Sequence, residues 1–143
     1  MQQIPNVTCV AIARRGILIT GAPGRGKSSL ALALIDRGAV LVGDDGIALE
    51  TRMGRAWAHP PAHISGKLEI RGVGIVDFPA HSAPVCLILN LNDPADRLPE
   101  MQTGSIGDTQ VPQLPFKTGD PLQAIRAEYA LQLYGLPVPD QIV

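Results

Sequence analysis

The sequence predicts an α/β fold in which a mixed β-sheet carries a phosphate-binding loop, and two observations lead to this prediction. A glycine-rich segment, Gly21 to Gly26, lies between an apolar strand-like run, Ile17 to Thr20, and a helix-like run that begins at Lys27. Further along the chain, Val85 to Leu89 is continuously apolar, which is typical of a strand at the centre of a sheet. A strand, loop and helix beside a buried central strand favour the α/β class.

The other apolar runs predict short strands, each bounded by turn residues. In chain order they are 7–13, 39–42, 47–50, 55–58, 67–70 and 74–78. We expect strand 39–42 to return parallel to the strand that enters the glycine-rich loop, and to lie beside it. The stretch 90–114 is rich in proline and glycine, and we expect it to be irregular.

Two helices are predicted, one directly after the glycine-rich loop and one late in the chain. The first runs from Lys27 to Arg37 and is followed by Gly38, a residue type that commonly ends helices. The second has Asp120 as its N-cap residue and Gln123 as the partner in a capping box, and it stops at Gly135. The fold is therefore expected to have a phosphate-loop helix and a C-terminal helix.

The composition predicts a single domain over residues 1–143 that is soluble and cytoplasmic. Twelve basic residues stand against thirteen acidic ones, and aromatic residues are only 3% of the chain. This balance argues against nucleic acid or an anionic membrane as a partner, because both require a basic surface. The two cysteines, Cys9 and Cys86, lie in apolar runs and are expected to be buried thiols.

The glycine-rich segment matches the phosphate-loop pattern G-x-x-x-x-G-K-[ST] in full. It consists of Gly21, Ala22, Pro23, Gly24, Arg25, Gly26, Lys27 and Ser28. Its glycines let successive N–H groups turn towards phosphate oxygens, and the following helix N-terminus favours negative charge. Lys27 would contact the β- and γ-phosphates of ATP, and the Ser28 hydroxyl would bind Mg²⁺. We include Ser29 in the predicted nucleotide-binding segment.

An acidic pair, Asp44 and Asp45, follows the predicted strand 39–42. If that strand runs parallel to the one before the phosphate loop, both carboxylates should lie near the bound phosphates. One of them could hold Mg²⁺ or its water, and the other could accept a proton from an attacking hydroxyl. A solvated Asp-Asp-Gly turn is the alternative.

With these motifs in place, the chain resembles the HPr kinase/phosphorylase family, from about Asn6 to Leu133. The phosphate loop, DRG at 36–38, LVGDD at 41–45 and LEIRGVGIVD at 68–77 carry the resemblance. More narrowly, the chain is similar to a short form that lacks the N-terminal domain. The resemblance implies the P-loop kinase-like core of HPr kinase and PEP carboxykinase. It also implies ATP- and Mg²⁺-dependent phosphorylation of a serine on an HPr-type phosphocarrier, and a homo-oligomer, which is a hexamer in long members.

The resemblance also implies roles for single residues. Lys27 would contact the phosphates, Ser28 and Glu69 would hold Mg²⁺, and Asp45 would be the base in the kinase direction and the acid in the reverse direction. Arg71 would be a partner for phosphate or for an aspartate. The short form also has a counterpart of segment 96–100, to which we assign no chemical role.

Three positions depart from the family pattern. Asn6 stands where the family has a histidine ahead of the phosphate loop, and Ser29 stands where an acidic residue is usual. In the late segment 115–120, Lys117 stands where one of the family's arginines would be, and no arginine follows the glycine. We therefore expect a kinase in which phosphorolysis is weak or absent. Two alternatives stay open: a non-catalytic ATP-binding regulatory module, and a kinase of another peptide or small-molecule hydroxyl.

Overall fold

The structure, a computed structural model, describes residues 1–93 and 98–139 and contains eleven strands and two helices in that part of the chain. The strands are β1 (Gln2–Pro5), β2 (Thr8–Ile12), β3 (Arg15–Thr20), β4 (Val40–Gly43), β5 (Gly46–Arg52), β6 (Arg55–His59), β7 (Lys67–Ile70), β8 (Gly74–Asp77), β9 (Ala83–Asn90), β10 (Gln102–Ile106) and β11 (Thr109–Pro115). The helices are α1 (Lys27–Asp36) and α2 (Gln123–Tyr134). This arrangement confirms the predicted α/β class.

Nine of the strands form one mixed sheet, in the order β1-β5-β6-β9-β3-β2-β4, with the β10–β11 hairpin joined to β9 through β11. β9 is parallel to β3 on one side and to β11 on the other, and its remaining contacts and the rest of the sheet are antiparallel. The strands β3, β9 and β11 therefore end at the same edge of the sheet. β7 and β8 form a separate two-stranded sheet.

Alternation along β3 divides the core between the two faces of the sheet. Ile17 and Ile19 pack with the helices, whereas Leu18 lies on the opposite face with residues of β5 and β6. Leu30 and Leu34 of α1 are fully buried against the first face, as their spacing of four predicts. Burial of each such leucine contributes about 1.5–3 kcal/mol.

Two further properties follow from the described residues. Cys9 and Cys86 are buried and unbridged, as predicted, and burial raises the pKa of both thiols. Neither α1 nor α2, with 10 and 12 residues, is long and apolar enough to cross a bilayer, and no other helix occurs in residues 1–93 and 98–139.

The prediction that β4 lies beside β3 is wrong, because β2 is inserted between them. The β2–β3 hairpin places β2 antiparallel to β3, and β2 is then antiparallel to β4 on its other edge. Two antiparallel steps leave β4 running in the same direction as β3. The acidic pair after β4 consequently still reaches the edge at which β3 ends.

The prediction of an irregular stretch from residue 90 to 114 is wrong from residue 102 onwards. β10 and β11 form a hairpin with Ile106 paired to Thr109 across the two-residue turn Gly107–Asp108. Gly-Asp is a recognised signal for such a turn, and Gly107 has the left-handed φ of 57° that the turn requires. The alternation is interrupted at Gly104, where a side chain would collide with Gln113.

The late helix begins three residues after its predicted N-cap. Asp120 instead organises a preceding turn, in which its side chain accepts a hydrogen bond from the Leu122 N–H at 2.8 Å. The Gln123 side chain accepts from the Gly119 N–H at 3.1 Å, one residue before the position that a capping box would use. The end of the helix at Gly135 agrees with the prediction.

The end of β4 provides a test of this packing, because Gly43 has no room for a side chain. A Cβ atom at Gly43 would lie 2.2 Å from the Gly46 carbonyl oxygen, whereas at Gly46 the nearest atom would be 3.4 Å away. We expect Gly43→Ala to lower the free energy of unfolding by about 1–3 kcal/mol. Gly46→Ala, the matched control, should cost clearly less. Urea unfolding measures both, and equal losses would contradict the close approach.

Candidate active site

The phosphate loop connects the end of β3 to the start of α1. Gly24 and Gly26 have left-handed φ angles of 85° and 99°, which a residue with a side chain rarely adopts. Gly26 is doubly constrained, since a Cβ atom there would lie 2.7 Å from the hydroxyl oxygen of Thr118. The loop thus has the open backbone that a phosphate cradle needs.

The Lys27 ammonium lies over the loop that precedes it. Its Nζ donates hydrogen bonds to the carbonyl oxygens of Gly21 at 2.6 Å and Ala22 at 3.3 Å. These neutral acceptors leave the positive charge of Lys27 without a carboxylate partner in the described residues. The charge is therefore available to phosphate oxygens, which bind an ammonium more strongly than carbonyl oxygens do.

Asp44 connects three elements through one carboxylate oxygen. Its Oδ1 accepts a hydrogen bond from Ser28 Oγ at 2.7 Å and another from Thr8 Oγ1 at 2.9 Å. Thr8 belongs to β2 and is buried, with 1% of its surface exposed. Asp44 is thus held in place beside the first turn of α1.

Asp45 has a different environment from its neighbour. Its backbone is left-handed, with φ of 61°, and its carbonyl oxygen accepts a hydrogen bond from the Asn6 N–H at 3.1 Å. Its carboxylate is exposed and has no hydrogen-bond or ion-pair partner among residues 1–93 and 98–139. The adjacent aspartates therefore differ: Asp44 is anchored, and Asp45 is free to contact a ligand.

A cavity of about 650 Å³ brings most of the predicted site residues together. Its lining combines the phosphate loop and α1 with residues at the start of β2 and at the ends of β1, β4 and β7, namely Asn6, Thr8, Pro23, Gly24, Gly26, Lys27, Ser28, Ser29, Leu32, Asp44, Asp45, Glu69, Ile70 and Arg71. Of the predicted nucleotide-binding residues, Gly21, Ala22 and Arg25 are outside this lining. We call this space the acidic cavity, after its three carboxylates.

Glu69 reaches the acidic cavity because of the alternation along β7. Leu68 is fully buried in the core beneath the helices, so Glu69 points to the opposite side. Arg71 follows in the turn between β7 and β8. A short two-stranded sheet thus supplies one carboxylate and one cation to the cavity that the phosphate loop borders.

The donor set of the acidic cavity suits Mg²⁺ that is bound together with a nucleotide. Ser28, Asp44 and Glu69, whose side chains carry oxygen ligands, line the cavity, and Mg²⁺ at phosphate sites commonly uses one or two protein ligands with phosphates and water. Among the described residues, no group of three or more His, Cys, Asp or Glu side chains is arranged to hold a metal ion. Binding of Mg²⁺ is therefore expected to require the phosphates of a nucleotide as further ligands.

A sequence model of the HPr Serine kinase C-terminal domain matches residues 2–82, more than half of the chain. This stretch contains the phosphate loop, the acidic pair and Glu69. The chain belongs to the HPr serine kinase C-terminal domain family. Its position within that family is described by two further comparisons.

Curated relatives in this family match part of the chain. The HPr kinase/phosphorylase of Clostridium tetani is 49% identical over 65 residues, and that of Bordetella pertussis is 49% identical over 64 residues. These matches cover 46% and 44% of this chain but only 21% of each relative. A solved structure, the Hpr(Ser) kinase/phosphatase from Coxiella burnetii, covers 92% of this chain and 95% of its own, with 30% identity and a TM-score of 0.79.

The late segment of this HPr kinase family member lies on the other side of the phosphate loop. Thr118 Oγ1 donates to the Arg25 carbonyl oxygen at 2.7 Å, and Lys117 lines a second cavity rather than the acidic cavity. Lys117, which we expected in place of a family arginine, is therefore not in the lining of the cavity that contains Asp45. Asp96 and Arg97 lie outside the described residues.

Arg126 of α2 holds the late segment in shape. Its guanidinium stacks on the Phe116 ring at 4.4 Å and donates to the Lys117 carbonyl oxygen and to the Asp120 carboxylate. The hydrogen bond from Arg126 lowers the pKa of Asp120 below its ordinary value. The carboxylate is therefore ionised at neutral pH, and these interactions occupy Arg126.

Three residues that sequence reasoning missed support the site: Thr8, Asn92 and Thr118. Asn92 Oδ1 accepts a hydrogen bond from the Ala22 N–H at 2.9 Å, which ties the start of the phosphate loop to the segment after β9. Asn92 follows a buried strand and Thr118 follows another, so polar residues at strand ends were the available signal. Thr8 carried no comparable signal, because its strand is apolar on both sides.

The two hydrogen bonds that Asp44 accepts lead to a prediction for stability. Asp44→Ala leaves the buried Thr8 hydroxyl and the Ser28 hydroxyl without their acceptor, and we expect a loss of about 1–3 kcal/mol in the free energy of unfolding. Asp45→Asn is the control, because its side chain is exposed and asparagine tolerates a left-handed backbone. It should change stability by less than about 0.5 kcal/mol. A urea series in which both variants behave alike would refute the anchoring role of Asp44.

Proposed function

We propose that this chain is an ATP- and Mg²⁺-dependent serine protein kinase whose acceptor is an HPr-type phosphocarrier protein. Family membership and the names of the similar proteins, HPr kinase/phosphorylase and Hpr(Ser) kinase/phosphatase, support the phosphocarrier as acceptor. The proposed catalytic mechanism rests on the different hydrogen bonding of the two adjacent aspartates. Asp44 accepts a hydrogen bond from Ser28, whereas the Asp45 carboxylate, in the same cavity, has no partner in the part of the chain that the structure describes.

In this proposal the phosphate loop and Lys27 hold the triphosphate of ATP. Ser28 and Glu69 would hold Mg²⁺, which supplies charge neutralisation at the phosphates when bound. Asp44 keeps the Ser28 hydroxyl oriented through the 2.7 Å hydrogen bond. Arg71, at the rim beside Glu69, provides a second positive charge for phosphate oxygens.

In the proposed transfer step, the proton of the acceptor serine hydroxyl moves to Asp45. The hydroxyl oxygen of the acceptor serine forms a bond to the γ-phosphorus, and the bond from that phosphorus to the bridging oxygen breaks, so that ADP leaves. Asp45 accepts the serine proton as general base. Its carboxylate is exposed and accepts no hydrogen bond from the described residues, so an acceptor hydroxyl can reach it. Positioning and charge neutralisation provide most of the catalysis in such reactions.

One observation favours the regulatory alternative in which ATP is bound but not transferred. Asn6, which borders the acidic cavity, is neutral where the family has a histidine. Lys27 and Arg71 are the only cationic side chains in the described lining of that cavity. Incubation with labelled ATP, Mg²⁺ and an HPr-type phosphocarrier, followed by phosphoserine mapping, separates the two functions. Bound ATP with no transfer would rule out the phosphocarrier as acceptor, and it would favour the regulatory module if no other peptide or small-molecule hydroxyl is phosphorylated either.

The role of Asp45 makes a direct prediction for transfer. Asp45→Asn should lower the rate of phosphoserine formation by about 10²- to 10⁴-fold, because the general base is lost. The Kd for Mg-ATP should stay close to that of the parent protein. Asp36→Asn removes an exposed carboxylate at the far end of α1 and should leave the rate unchanged. Transfer by Asp45→Asn at the parent rate would exclude Asp45 as the base.

The charge of the acidic cavity predicts weak phosphorolysis. In that reaction an oxygen of inorganic phosphate bonds to the phosphorus of phosphoserine, the bond to the serine oxygen breaks, and protonated Asp45 returns a proton to that oxygen. Two anions must approach each other, and the repulsion between them is large at low dielectric. With Asn6 neutral, we expect little pyrophosphate release from the phosphorylated phosphocarrier.

Asn6→His should raise pyrophosphate release several-fold, and histidine is among the residues that tolerate the left-handed φ of 64° found at Asn6. Asn6→Gln, which stays neutral, should give no increase. Brisk release by the parent protein, or equal release by the two variants, would show that the charge at position 6 does not limit the reverse reaction.

A further inference from the structure

A second cavity of about 470 Å³ lies on the other side of the phosphate loop from the acidic cavity. The two cavities share Gly24, and Arg25 belongs to the second one alone. Its other walls are the segments that follow β9 and β11, with Asn92, Asp93 and Lys117 among them. A volume of this size is within the range of small-molecule sites, and its position outside the ends of parallel strands is where ligands collect in α/β sheets.

The walls of the second cavity are also the supports of the phosphate loop. The side-chain oxygen of Asn92 accepts a hydrogen bond from the Ala22 N–H at 2.9 Å, and the Thr118 hydroxyl donates to the Arg25 carbonyl oxygen at 2.7 Å. One wall segment thus holds the beginning of the loop and the other holds its middle. A ligand bound between these segments would therefore lie next to any phosphate that the loop itself holds.

The position of the proposed base gives a bound triphosphate a direction. Three carboxylates border the acidic cavity, including the proposed base, so the transferred phosphate should point there. The second cavity contains two cations, Arg25 and Lys117, and one carboxylate, Asp93. The non-transferred end of the nucleotide is then expected on this side.

Asp93 limits what the second cavity can bind. Its Oδ2 accepts a hydrogen bond from Asn90 Nδ2 at 3.0 Å, which fixes the carboxylate and leaves its other oxygen open. A fixed carboxylate repels a further phosphate and suits neutral hydrogen-bond donors such as the hydroxyl pair of a ribose. The Arg25 guanidinium adds a planar cation of the kind that stacks on nucleobases.

We propose that the second cavity is the nucleoside subsite, in which Asp93 accepts hydrogen bonds from the ribose hydroxyls and Arg25 stacks on the base. This inference rests on the proposed function, because it requires that the phosphate loop binds a nucleoside triphosphate. It adds residues that lie outside the acidic cavity and take no part in the transfer step. It also explains why the phosphate loop has its supports on this side.

Isothermal titration calorimetry with Mg-ATP and with Mg-tripolyphosphate separates the nucleoside subsite from the phosphate loop. The parent protein should bind Mg-ATP more tightly than Mg-tripolyphosphate. Asp93→Ala should weaken Mg-ATP binding by about tenfold or more, since a charged hydrogen-bond acceptor is lost. Its affinity for Mg-tripolyphosphate should be unchanged or slightly tighter, because a negative charge is removed. Simple electrostatics predicts tighter binding of both ligands, and that result would overturn the proposal.

Two controls make each outcome decisive. Asp36→Ala removes an equivalent exposed carboxylate at the far end of α1 and should change neither affinity. Should Asp93→Ala fail to fold, 2′,3′-dideoxy-ATP with the parent protein gives the same test, and it should bind about tenfold more weakly than ATP. Equal binding of dideoxy-ATP and ATP would contradict the ribose contact.

The same titrations distinguish failure of this inference from failure of the proposed function. If the parent protein binds Mg-tripolyphosphate and Mg-ATP equally tightly, the nucleoside subsite is refuted while the phosphate loop and the kinase proposal stand. If it binds neither ligand, the kinase proposal fails, and the subsite fails with it. Lys27→Ala should weaken both ligands alike, because it removes a phosphate contact and not a nucleoside contact.

Discussion

The parallel pairing of β9 with β3 and β11 is the constraint on which the site depends. Backbone hydrogen bonds fix Thr20 beside Asn90, and Asn90 beside Pro115, so three chain segments leave the sheet at one edge. The pairing continues one step beyond the strands, as the Leu91 N–H donates to Thr20 and the Phe116 N–H donates to Asn90. The phosphate loop therefore begins beside the segment after β9, and the segment after β11 is close enough to reach the middle of the loop.

The insertion of β2 between β3 and β4 has a chemical consequence as well as a topological one. It places the buried Thr8 hydroxyl at the end of β4, where it donates to Asp44 together with Ser28. A buried hydroxyl is costly without an acceptor, so this pair of donors fixes the carboxylate as well as satisfying Thr8. The following residue, Asp45, turns in the opposite direction through its left-handed backbone. Two neighbouring carboxylates thereby acquire different surroundings within one short turn.

Local patterns in the sequence predicted most of the elements, because each pattern has a local physical cause. The phosphate loop needs its glycines, α1 needs Leu30 and Leu34 on one face, and the central strand β9 is apolar because both of its faces are covered. The strand order was not predictable in this way, since nothing in strand 39–42 indicates whether β3 or β2 is its neighbour. The β10–β11 hairpin was missed because Gly104 interrupts its alternation, although Gly107–Asp108 indicated the turn.

The sequence predicted the site residues that belong to a single local motif. It did not predict the residues whose contribution depends on how distant parts of the chain pack. Lys27 and Ser28 follow from the loop pattern, and the acidic cavity contains both, together with Asp44, Asp45 and Glu69. The supports of the loop are different, because Asn92 and Thr118 act through single hydrogen bonds to backbone atoms far away in sequence. Such bonds depend on which strands end side by side. The parallel arrangement of β3, β9 and β11 therefore determines which polar residues can contact the phosphate loop. As a consequence, the loop borders two cavities, one lined by three carboxylates and one lined by charges of both signs.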